Sequence, residues 1–181
     1  YDFEGYKIYR ATDFEFNDAY NITDGDGNPT FLEPYVQNGV RAQWDLIDGK
    51  SGWHPVDLNG IKFYLGDETG LVHSYVDNNV VNGQRYYYAV VSYDYGGDLT
   101  NNIIPSDSPM KLRVNPLTGA VSLGPNVVEV VPSPPSAGFV DASFTGDQID
   151  HVAGASSGEV YLEIVDPQMI KDGHTYQITF D

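Results

Sequence analysis

A chain of 181 residues with 41% apolar side chains can bury one large core or two small ones, which argues against global disorder. Twenty-six acidic residues against nine basic ones leave a net charge of −17, the wrong sign for nucleic acid or an anionic membrane surface. Cysteine is absent, so disulfides, zinc–thiolate sites and iron–sulfur clusters are excluded, and no apolar run approaches the ~18 residues of a membrane span. Nineteen Gly, eleven Pro and fourteen Tyr, with only two Met, favour short strands and many turns over helices. The chain reads as all-β.

The first strand is predicted at residues 3–12, "FEGYKIYRAT", where Tyr6, Ile8 and Arg10 alternate with Lys7, Tyr9 and Ala11. Residues 13–60 are rich in Asp, Asn, Gly and Pro and read as a long decorated insertion with one or two short strands. Short strands follow at 61–66 ("IKFYLG") and 72–77 ("VHSYVD"), separated by a turn. The strongest signal is "NGQRYYYAVVSYDYGG", residues 82–97, with turn chemistry at both ends. Counting by twos puts Tyr86, Tyr88, Val90 and Ser92 on one face, and Tyr87, Ala89, Val91 and Tyr93 on the other. Both faces are largely apolar, which predicts a central strand covered on both sides or facing a contact surface.

"SPMKLRVN", residues 108–115, alternates again and is expected to close the sheet. Thr118-Gly119 marks a tight turn between two short extended pieces, and a strand-like run follows from Val127. Pro132, Pro134 and Pro135 then stiffen the backbone, so residues 116–135 are expected to be a Pro-rich linker between two domains. Beyond it, residues 138–146, 159–166 and 175–181 read as three strands of a second small β-sandwich-like module, 136–181, truncated in mid-module.

Gly5, Tyr6, Ile8, Tyr9 and Arg10 are followed by Tyr75 and Asp77, then Gly83, then Tyr86, Tyr88, Val90, Ser92 and Asp94. In this order residues 1–115 resemble the second half of a fibronectin type III domain, with Ser92 in place of the usual Ala and residues 13–60 inserted. More specifically, the run resembles modules of large secreted or surface bacterial proteins that carry type IX secretion tails. The resemblance implies a β-sandwich with Tyr86 at the tyrosine corner, its hydroxyl bonded to backbone, and with Tyr88 and Val90 continuing the inner face. Tyr87 and Tyr93 would then face outward. The first two strands of that domain are missing, so the sandwich is expected to be incomplete. A protein partner, or the remainder of the same polypeptide, would supply them. The implied role is non-enzymatic: an extracellular structural, adhesion or assembly module of a bacterial surface protein or filament.

Several local motifs bear on chemistry. "DGDGN", residues 24–28, spaces Asp24, Asp26 and Asn28 like the first three oxygen ligands of a calcium loop, with the Thr30 carbonyl next. Glu33 or Asp18 would have to complete the shell, Pro29 and Tyr35 depart from the loop pattern, and the same residues read equally as a hairpin turn. His54, His73, His151 and His174 lack metal spacing, and no HExxH, GxGxxG or P-loop occurs, so no catalytic residue is assigned. Trp44, Trp53, Tyr87 and Tyr93 are the aromatic residues suited to stacking on a glycan. They support an alternative role as an accessory carbohydrate-binding module of a secreted hydrolase.

Overall fold

The computed structural model describes residues 2–110, 112–140, 151–155, 157–166, 169–171 and 173–179. The chain divides into two compact units, Tyr1–Pro134 and Pro135–Asp181. In chain order the strands of the first unit are β1 (Phe3–Ala11), β2 (Asn21–Thr23), β3 (Pro29–Leu32), β4 (Val36–Gln37), β5 (Val40–Arg41) and β6 (Gln43–Asp45). They continue as β7 (Trp53–Leu58), β8 (Ile61–Tyr64), β9 (Tyr86–Asp94), β10 (Leu112–Val114), β11 (Val121–Leu123) and β12 (Val127–Val130). The main sheet has four strands in the order β12-β9-β1-β6, and the others pair as hairpins, β2 with β3, β4 with β5, β7 with β8 and β10 with β11. All of these pairings are antiparallel.

The tyrosine strand β9 lies inside the main sheet, as its two apolar faces suggested. β1 pairs along one edge from Phe3↔Asp94 to Ala11↔Tyr87. β12 pairs along the other from Val127↔Ala89 to Val130↔Tyr86. Past the end of β12, Tyr93 bridges Asp107, and the Ser108 N–H donates to the Ser92 carbonyl at 2.7 Å. Both edges of the ladder are therefore filled by segments of this chain, which removes the argument that a partner must add a strand beside it.

The fuller core lies on the face of β9 expected to point outward, although Tyr86 of the expected inner face is buried too. Tyr87, Ala89, Val91 and Tyr93 are buried, whereas Val90 is 47% exposed. Tyr9, Ala11, Phe16 and Val127 join Tyr87, Ala89 and Val91 in one cluster, and Phe63, Leu65 and Tyr93 form a second. The period-two arithmetic holds, but two apolar faces leave the choice to whatever packs on them. Phe16, from the loop after β1, and Phe63, from β8, arrive on the odd-numbered face. β1 also approaches β6 closely at Gly5, where any side chain would collide with the Trp44 carbonyl and the Tyr93 ring.

Four further expectations change. Residues 13–60 hold six short strands rather than one or two, β2 to β7. Each apolar piece is too short to show a period, and the hairpins are set by turn chemistry. Asn38-Gly39 and Asn59-Gly60 have positive φ at both residues, the conformation of two-residue hairpin loops. Residues 72–77 form no strand, because β8 pairs back on β7 and side chains hold the later segment instead. β10 does not close the main sheet; the turn at residues 115–119 folds β11 onto it, and β12 takes the place beside β9. The linker is accordingly shorter than 116–135, and the division falls at Pro134 and Pro135.

The second unit contains no strand among its described residues, apart from a single bridge residue at Tyr161. Of the strands expected there, residues 141–146 lie outside the described residues, as do 180–181. The described parts of 159–166 and 175–181 are otherwise unpaired into ladders. Val152, Tyr161, Val165 and Tyr176 are exposed, so these residues lack the buried apolar face that stabilises a small β module.

Candidate functional site

The even-numbered face of the main sheet carries Tyr6, Ile8 and Arg10 of β1, Tyr86, Tyr88 and Val90 of β9, Val128 and Val130 of β12, and Trp44 of β6, placed together by register. The irregular segment before β9 is clasped to this face by Asp77. Its carboxylate accepts from Arg10 Nη1 (2.8 Å), the Tyr88 hydroxyl (2.7 Å), the Tyr35 hydroxyl (3.1 Å) and the Asn79 N–H (2.9 Å). The Arg10 guanidinium lies over the Tyr35 ring at 3.8 Å. Burial alone would push the Asp77 carboxyl up; the donors around it outweigh that and hold it below the usual carboxylate range. The Tyr86 hydroxyl accepts from the Val81 N–H at 3.0 Å.

Beside the clasp, a groove of about 560 Å³ opens between the β4–β5 hairpin, β6 and the turn after β8. Trp44 and Tyr75 meet edge-to-face in its wall at 5.4 Å. Tyr64 forms another part, with its ring against Trp53 at 4.9 Å and under the Arg41 guanidinium at 5.0 Å. Gln37 ties the wall to the clasp segment by donating to the Val76 carbonyl (3.2 Å) and accepting from the Asn78 N–H (2.8 Å). The Tyr64 hydroxyl donates to Asp67. Arg41 Nε donates to Glu33 at 2.6 Å, which fixes the plane of the guanidinium. A smaller concavity of about 430 Å³ lies near Asp18, whose carboxylate is taken up by the Thr12 N–H and hydroxyl.

The odd-numbered face buries charge. Lys7 Nζ sits 3.6 Å from the centre of the Phe63 ring and 4.7 Å from that of Tyr93, paired to Asp107 at 3.2 Å. The Tyr9 hydroxyl donates to the same carboxylate. Burial brings the Lys7 ammonium down to about 8, against the opposing pull of Asp107. His54 is fully buried, edge-on to Tyr95, with Nε2 donating to the Gly97 carbonyl at 2.6 Å. Its sequence position, directly before Pro55, carries no sign of this burial inside β7.

Glu4 is fully buried and neither carboxylate oxygen has a hydrogen-bond partner. Burial pushes its carboxyl up to about 7, and Asp48, Asp45 and Glu68 add to this while Lys50 opposes it. In the unfolded chain the proton is lost near 4.5, so Glu4's contribution is fully present below that pH and disappears as pH rises through about 7. Glu4→Gln is expected to flatten this loss and to raise the unfolding midpoint by several degrees in mildly alkaline buffer, measured by thermal denaturation across that range.

Of the expected calcium ligands, Asp24, Thr30 and Glu33 have side chains that bond within the chain. Asp24 closes the β2–β3 turn, accepting from the Asp26 N–H (3.0 Å), the Asn28 N–H (2.8 Å) and the Asn28 side chain. The Thr30 hydroxyl donates to the Ile22 carbonyl, and Glu33 is paired with Arg41. Among the described residues no group of three or more acidic or histidine side chains is arranged to hold a metal ion. The hairpin-turn alternative fits this geometry better. Asp26→Ala is therefore expected to leave the unfolding midpoint unchanged both in calcium and in chelator. A calcium-dependent midpoint lost in that variant would restore a cation site.

Of the aromatic candidates, Trp44 lies in the groove and Trp53, 58% exposed, begins β7 beside Tyr64 rather than lying in a loop. Tyr87 and Tyr93 are core residues and offer no platform to a ligand. Tyr64 and Arg41 were not expected in a site, and Tyr75 was placed only in the fibronectin-like run, because the groove joins segments far apart in sequence; the Asn38-Gly39 hairpin was the available signal. The fold and these surfaces define an all-β protein of antiparallel sheets. Compared with models of known protein families, with curated proteins and with solved structures, the chain matches none.

Proposed function

We propose that this chain is a non-enzymatic structural or adhesion module of a large extracellular bacterial protein, whose main sheet is covered on its outer face by a β layer from a partner or from the rest of the polypeptide. The observation that supports this reading is the uncovered apolar strip of Val90, Val128 and Val130, 47%, 51% and 41% exposed, beside Ile8 and Tyr6. A sheet with two apolar faces is stable when both are packed, and here only the odd-numbered face has a full core. The Tyr86 hydroxyl bond and the resemblance to fibronectin type III domains fit a sandwich half of this kind. The strongly acidic composition fits a solvated surface outside the cell.

The test is a photo-crosslinking residue at Val128 in the full-length polypeptide. The expected product joins Val128 to a β segment outside residues 2–140. A full-length protein in which Val128 stays solvent-accessible and forms no crosslink would overturn the reading.

A further inference from the structure

The groove between β6 and the β4–β5 hairpin combines aromatic faces with charged and amide groups. Trp44, Tyr75 and Tyr64 present aromatic carbon beside the Arg41 guanidinium, the Asp67 carboxylate and the Gln37 amide. Its volume, about 560 Å³, suits a small ligand held by stacking and a few directed hydrogen bonds.

We propose that this groove binds a neutral saccharide, with a sugar ring against Trp44 and its hydroxyls between Arg41 and Asp67. Charge selects this class. The Arg41 charge is already matched by Glu33, and Asp67 adds a negative charge to a chain of net −17, so an anionic ligand is disfavoured. An apolar peptide would cover the hydrogen-bonding positions that Arg41 and Asp67 keep beyond their bonds to Glu33 and Tyr64 and would offer nothing in place of water, at a desolvation cost. Sugar hydroxyls both donate and accept, and a pyranose presents C–H groups to an aromatic face. The groove is also braced before any ligand arrives: Gln37 fixes one wall, Glu33 fixes Arg41, and Tyr64 fixes Asp67. Such preorganisation lowers the cost of binding. Trp44 was singled out by sequence; Tyr64, Tyr75, Arg41 and Asp67 join it only in three dimensions. The proposal rests on this geometry and not on the covering of the sheet's outer face.

The chain contains two tryptophans, so Trp53→Phe leaves Trp44 as the single reporter. In that background, titration with cellohexaose, xylohexaose and mannohexaose is followed by tryptophan fluorescence and by calorimetry. At least one of the three is expected to shift the Trp44 emission with saturation in the millimolar range or below. Arg41→Ala and Asp67→Ala, at exposed positions that leave the fold intact, are each expected to weaken binding about tenfold. Trp44→Ala is expected to abolish the calorimetric signal, with circular dichroism verifying that the sheet persists. No response to any of the three sugars, or binding unaffected by Arg41→Ala and Asp67→Ala, overturns the proposal.

Discussion

Lys7→Ala is expected to destabilise the first unit by about 3–5 kcal/mol in urea denaturation, the cost of breaking a buried ion pair by removing one partner. The ammonium is held by two rings and one carboxylate at once, over Phe63 at 3.6 Å, over Tyr93 at 4.7 Å and 3.2 Å from Asp107. Removing it leaves a void between those rings and leaves the Asp107 carboxylate with the Tyr9 hydroxyl as its side-chain donor. Packing and charge can be separated. Lys7→Met keeps the apolar stem, and Lys7→Met combined with Asp107→Asn removes both charges. The double variant is expected to be more stable than the sum of the two single changes implies, with a coupling of about 2 kcal/mol. Strict additivity would mean that the two groups stabilise the fold independently.

Asp77→Ala is the second large effect, expected to cost about 2–4 kcal/mol and to expose the segment before β9 to proteolysis. That segment lacks a strand, so side chains do the work a ladder would otherwise do. Asp77 gathers three donors from separate parts of the chain, Arg10, Tyr35 and Tyr88, and a fourth from its own segment at Asn79, and its loss leaves the Arg10 guanidinium without its carboxylate over Tyr35. Cleavage is expected within residues 72–81 in Asp77→Ala and not in the parent chain. Equal protease resistance in both would show that the hydrophobic contacts alone hold the segment.

Much of the sheet was legible in sequence because long alternating runs carry their own period. β1 and β9 fall where Tyr6–Arg10 and Tyr86–Ser92 alternate, and the turns flanking β9 bound it correctly. What packs against a two-sided strand is a long-range property. Val90 and Val91 are the same residue type in adjacent positions, and nothing local decides which of them meets Phe16 and Tyr9. The insertion was opaque for a different reason. Five of the six strands of the insertion have four residues or fewer and no measurable period, so Asn38-Gly39 and Asn59-Gly60 were stronger evidence for hairpins than any apolar run. Asp77 was noticed for its place in a Tyr-x-Asp motif, yet its partners at positions 10, 35 and 88 are linked only by the fold. The same holds for the groove, which Trp44, Tyr75 and Tyr64 line from three separate segments.

The placement of the core on one face of β9 is tested most directly by thermal unfolding of Val90→Asp beside Val91→Asp. Val91 is 1% exposed and Val90 47%. Val91→Asp is expected to abolish cooperative unfolding, since an unpaired carboxylate would sit in the core, whereas Val90→Asp is expected to cost about 1 kcal/mol. Equal damage from the two, or a tolerated Val91→Asp with an unfolded Val90→Asp, would contradict that placement.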